Sequence, residues 1–153
     1  MGNKKVLIIL GIVILAFIVF GYLFFGYRGG KLETKFLKVN GVEFSVEMAD
    51  TTLSRMKGLS GRDGLVENEG MFFVFDSPAN QGFWMKDMKF PIDIIWIKDG
   101  KIVGFVENAQ PEPGKTVFGL KIYNSSEPVD RVLEVNAGTV AKYGFEVGQS
   151  VSF

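Results

Sequence analysis

The chain has 153 residues, room for one domain of ordinary size plus an appendage. Its 17 Lys and Arg match its 17 Asp and Glu, but beyond residue 30 the side chains count 14 positive against 17 negative, the opposite of a nucleic-acid-binding bias. The absence of Cys and His excludes disulfides, thiolate nucleophiles, Cys-ligated zinc and the commonest general base, so any chemistry falls to carboxylates, Lys, Tyr, Ser/Thr or a hard cation.

The first element is "VLIILGIVILAFIVFGYLFF", an uncharged run from Val6 to Phe25. Its 20 residues at about 1.5 Å each span roughly the 30 Å of a bilayer hydrocarbon core. A helix apolar on every face has no side for water, so the expectation is one transmembrane helix whose partner is the lipid bilayer. The exit, "FGYLFFGYRGGK", lacks the small-residue pattern of a cleavage site, which favours an uncleaved signal-anchor. Lys4 and Lys5 before the run, against Arg28, Lys31, Lys35 and Lys38 after it, leave orientation open by charge alone.

Residues 1–30 are thus read as anchor and Gly-containing linker, and residues 31–153 as a compact domain. Within "KFLKVNGVEFSVEMA", Asn40-Gly41 is a hairpin signal, and Val42, Phe44, Val46 and Met48 alternate with polar residues. In "DTTLSRMKGLSGR", Asp50 or Thr51 caps a predicted short helix, Leu53 and Met56 share a face, and Gly58 suits the exit. "GMFFVF" at 70–75 and "IDIIWI" at 92–97 predict strands apolar on both faces. Asp99-Gly100 turns into "KIVGFVEN", residues 109–128 read mostly as loop, and "RVLEV" is a further strand. "NAGTVAKYG" predicts a second short helix between a capping Asn136 and Gly144, and "GQSVSF" a closing strand. The fold class is mainly β: a small curled sheet or barrel of short strands with two short helices.

"GLSGRDGLVENEGMFFVF", "FWMKDMKFPIDIIWI" and "VLEVNAGTVAKYGFEVGQ" together resemble the DUF192 family of prokaryotic domains, over roughly residues 42 to 152. The family's members often carry an N-terminal export signal or anchor, so the resemblance implies an extracytoplasmic domain with its N-terminus inside. Two departures stand out: Ser60-Gly61 where bulkier residues are common, and Gly148-Gln149 where Gly-Asp is common. The resemblance implies no established activity.

Charges set into "GFWMKDMKFPIDIIWIKDG" pose the functional question, because a charge in an apolar run is costly unless paired or wet. In one reading, Arg55 or Arg62 holds Asp87 or Asp93 in a buried structural pair. In the other, Trp84, Lys86, Asp87 and Asp93 line a cleft with Arg62 and Glu69 opposite, suited to a small polar ligand or glycan. A sharper version makes Asp87, Asp93 or Glu69 the carboxylates of a glycosidase-like hydrolase. A protein-interaction domain serving a membrane partner is a third expectation. The scattered acids show no metal loop, and neither a metal nor any other cofactor is expected.

Overall fold

The computed structural model describes residues 13–16 and 31–153. Residues 13–16 are helical; the rest of the Val6–Phe25 run, expected to be a transmembrane helix, lies outside the described residues. Among the described residues no helix is long and apolar enough to cross a membrane. The chain divides into two compact units, residues 1–31 and 32–153, and the second holds everything that follows.

Nine strands build this unit: β1 (Thr34–Val39), β2 (Val42–Ala49), β3 (Glu69–Ala79), β4 (Gly82–Trp84), β5 (Ile92–Lys98), β6 (Lys101–Ala109), β7 (Ile122–Asn124), β8 (Val129–Asn136) and β9 (Val151–Ser152). Seven form one sheet in the order β6-β5-β8-β3-β2-β1-β9, and β4 and β7 pair as a separate ribbon. Asn40-Gly41 and Asp99-Gly100 turn the two tight hairpins, all four residues at positive φ as such turns demand. β2 and β3 pair in parallel, so the chain must cross over between them, and the helix α1 (Thr52–Lys57) lies in that crossover.

The sheet curls into a half-barrel until its two edges meet. Ser150 bridges to Lys101, the Ile102 N–H donates to the Gln149 carbonyl at 3.0 Å, and β9 pairs with β1. Period-two alternation then sorts each strand between an inner and an outer face. Leu37, Phe44, Val46, Phe72, Ile95 and Leu133 fill the inner core, plugged by Val140 of α2 (Thr139–Tyr143) and by Phe145. Met71, Phe73, Ile94, Trp96 and Val132 face outward, where Leu59, Met85 and Met88 cover them. Burial on both sides explains why β3 and β5 read as continuous apolar runs.

Leu53 and Met56 share a face as expected, and that face is solvent-exposed, at 67% and 71%. The stretch 109–128 is mostly loop as expected, with β7 and a 3-10 turn at Val117–Gly119 within it. One local expectation needs correction. Asn136 does not cap α2; its amide donates to the Leu65 and Val66 carbonyls.

Candidate functional site

The charges that the sequence set together are separated by the fold. Residues 83–88 are extended only as far as Trp84; Lys86 and Asp87 form a turn, with Asp87 at φ 54°. Their side chains pair with each other, and they lie on a crevice shared with Lys115, Thr116 and Val117. Asp93 is buried on the inner face, and its partners among the described residues are backbone N–H groups. Its Oδ1 accepts from the Asn108 and Gly138 N–H groups at 2.8 and 3.2 Å, and its Oδ2 from the Val140 N–H at 2.9 Å. Asp93 therefore performs the service expected of Asn136, tying the start of α2 to β5 and to the end of β6.

Neither expected Arg–Asp pair is formed. Arg62 meets Glu47 in a two-pronged contact, Nη1 to Oε1 at 2.6 Å and Nη2 to Oε2 at 2.7 Å. Those bonds raise the Arg62 pKa against the opposing effect of burial, and the Glu69 and Glu134 charges add to the rise. Arg55 donates through Nη1 to the Asp50 and Val74 carbonyls at 2.8 and 2.6 Å, and its guanidinium lies 5.2 Å from the centre of the Phe75 ring. Arg55 thus fastens α1 to β3 instead of neutralising an acid.

The group that the sequence reading missed is Glu134, in the middle of "RVLEV". On β8 it stands opposite Met71 of β3 and Ile94 of β5, facing outward with them. It is 5% exposed, and its carboxyl group has no hydrogen-bond partner among the described residues. Burial pushes its pKa up to about 8, against the pull of the Arg62 charge, so it is largely protonated at pH 7. Glu47 flanks Met71 from the other side, which places two acids of very different character on one face.

Glu134 lies on the floor of a cleft of about 260 Å³. One wall is α1 and its exit, with Arg55, Met56, Lys57 and Leu59; the other is the β4 segment, with Phe83 and Trp84. Phe73 and Phe75 of β3 lie between them. Phe83 holds the aromatic side together edge-to-face, with ring centres 4.8 Å from Phe73 and 5.5 Å from Trp96. α1 is set by a capping box in which the Thr51 and Ser54 side chains each serve the other's backbone N–H. Trp84 stands at the mouth, 41% exposed.

Of the six residues expected to line a site, Trp84 is on this cleft, while Arg62 and Glu69 act on the charge network beside Glu134. Lys86 and Asp87 belong to the second crevice, and Asp93 is enclosed. Among the described residues no group of three acids could hold a metal ion.

Residues 35–153 match the DUF192 family, described as "Uncharacterized ACR". The chain belongs to the DUF192 family. Two solved structures share the fold of this DUF192 domain. One, from Sinorhizobium meliloti and described as a candidate transcription regulator, is 31% identical with a TM-score of 0.72, over 80% of this chain and 95% of that one. The other, from Novosphingobium aromaticivorans and of unknown function, is 29% identical with a TM-score of 0.73, over 82% and 89%. No curated protein matches the chain.

Proposed function

We propose that this DUF192 domain is the ligand-binding head of a membrane-tethered protein, facing away from the cytoplasm and taking a small molecule into the cleft between α1 and β4. One observation carries the reading: a nearly buried carboxyl group, with no hydrogen-bond partner among the described residues, at the floor of an aromatic-walled cleft. A buried polar group without a partner costs free energy, and a ligand supplying the missing hydrogen bonds recovers it. The walls of Phe73, Phe75, Phe83 and Leu59 favour an apolar body over a sugar, which needs many polar partners. The tether rests on the Val6–Phe25 run. The regulator description belongs to the Sinorhizobium protein; the acidic excess beyond residue 30 supports a small ligand here over a nucleic acid.

Hydrolysis is the weaker reading. Asp93 has its oxygens engaged by backbone, and Glu47, two strands from Glu134, has both oxygens on Arg62. Among the described residues that line the cleft Glu134 is the one acid, whereas a glycosidase sets two carboxylates about its substrate.

The test uses the full chain in lipid nanodiscs, with its two Trp residues labelled by fluorine. Trp84 reports the cleft mouth, and Trp96 reports the packed face behind Phe83. Titration with ethylbenzene, benzamide, benzylamine and benzoate is expected to give a saturable shift of the Trp84 resonance with at least one probe, assigned by Trp84→Phe. Silence across all four would overturn the binding reading.

A further inference from the structure

The cleft contains an uncommon hydrogen-bonding element. A protonated carboxyl group presents an O–H donor and a carbonyl acceptor side by side. On Glu134 neither is used by another described residue: Met71 and Ile94 flank it across the strands, and Phe73 and Leu59 line the space around it. A ligand with a single acceptor would satisfy only half of it. A ligand with an acceptor and a donor carried side by side on one carbon, as in a carboxamide or lactam, would satisfy both with two parallel bonds.

Charge narrows the class further. Arg55 and Lys57 line the cleft, and the Arg62 charge acts on Glu134 from beside it, so an ammonium would enter among three cations. A carboxylate would have to give up its hydration between aromatic rings, with Glu47 and Glu69 already gathered around Arg62. Size sets the body: an apolar cavity of about 150 Å³ takes benzene. The 260 Å³ here suits one ring with a short substituent.

We propose that the cleft selects a neutral, single-ring ligand bearing a carboxamide or lactam edge, which pairs through two hydrogen bonds with the Glu134 side chain. This inference rests on the binding reading above but can fail separately from it. Four probes of one ring size vary only the edge: ethylbenzene has none, benzamide has the paired donor and acceptor, benzylamine is a cation and benzoate an anion. Two variants vary the floor. Glu134→Gln keeps a donor beside an acceptor, whereas Glu134→Leu keeps the bulk and removes both.

In the fluorine titration, benzamide is expected to bind most tightly to the native chain. Glu134→Gln should hold it within about threefold, and Glu134→Leu should weaken it by about tenfold while leaving ethylbenzene unchanged or tighter. Preference for benzylamine or benzoate, or loss of benzamide in Glu134→Gln, would overturn the inference and leave the binding site standing. Equal binding of ethylbenzene and benzamide, insensitive to Glu134→Leu, would do the same. Silence with every probe would remove both readings together.

Discussion

Asp93 and Glu134 are carboxyl groups on adjacent central strands, yet their surroundings give them opposite tasks. Three backbone N–H groups surround the Asp93 carboxylate, whereas Glu134 is pushed up to about 8 by burial with no such donors. Asp93→Asn substitutes an amide for one oxygen and turns a donor toward donors. The expected cost is about 3 kcal/mol, or a Tm lower by roughly 10 °C in a domain of this size. Asp87→Asn, at an exposed turn where Asn tolerates the left-handed backbone, should leave Tm within about 2 °C. Thermal unfolding of the two variants side by side separates a structural Asp from a peripheral one.

For Glu134 the sign runs the other way. Its folded pKa lies above the ordinary carboxyl value of 4.5, so between there and about 8 the folded chain binds the extra proton. Stability is then full below about 4.5, declines across that window and levels off above about 8. The charged groups of the network around it are Arg62, whose pKa is raised, and the Glu47 and Glu69 side chains beside that guanidinium. Glu134→Gln should flatten this decline, unfolding above the native Tm at pH 9 and close to it at pH 5. A Tm profile in which native and Glu134→Gln run parallel from pH 5 to pH 9 would show that Glu134 ionises freely.

Sequence legibility differs between these two acids for a physical reason. The position of Asp93 at the entry of an apolar strand marks it as a buried acid. Its partners, however, come from residues 108, 138 and 140, brought to it only by the closing of the sheet. Glu134 was visible as a charge at an apolar position of "RVLEV", but a lone Glu on a strand is normally solvated. Only the packing of α1 and the β4 segment over β8 makes it a floor.

At the scale of elements, the turn chemistry was legible where it is local. Asn40-Gly41, Asp99-Gly100, Thr51 and Gly58 occupy the hairpins and the helix ends that their residue types call for. The Trp84–Met88 segment was not, since alternation holds only while a strand continues. Here β7, nearly 40 residues later, decides that it stops at Trp84. A close joint between elements is Gly70 on β3, opposite Val135 of β8. A Cβ there would lie 2.6 Å from the Glu134 carbonyl oxygen, a backbone atom that cannot swing aside. Gly70→Ala is therefore expected to part β3 from β8 and destabilise by about 2 kcal/mol or more. Hydrogen exchange should show faster amide exchange along β8 than along β5's far neighbour β6. Unchanged protection on β8 would mean that the strands absorb the methyl by sliding.

For the whole molecule, the sheet's curl follows from sequence in kind but not in closure. Many short strands with turn signals imply a curled sheet, whereas the meeting of its edges depends on residues 148–151 reaching back to Gly100, Lys101 and Ile102. All of these contacts lie within residues 32–153, as do both cores. The family match begins at residue 35, and the Sinorhizobium structure is covered over 95% of its length. Cutting the chain before Lys31 removes none of the packing described, so residues 31–153 alone should unfold in one cooperative transition with the Tm of the full chain's domain. Membrane behaviour should separate at the same cut. Full-length protein should stay with the bilayer through alkaline carbonate washing, held by Val6–Phe25, while residues 31–153 should remain in the supernatant. Release of the full chain by carbonate would refute the tether while leaving the cleft as it is. Retention of residues 31–153 would instead assign membrane affinity to the domain's exposed Met56, Trp84 and Phe118.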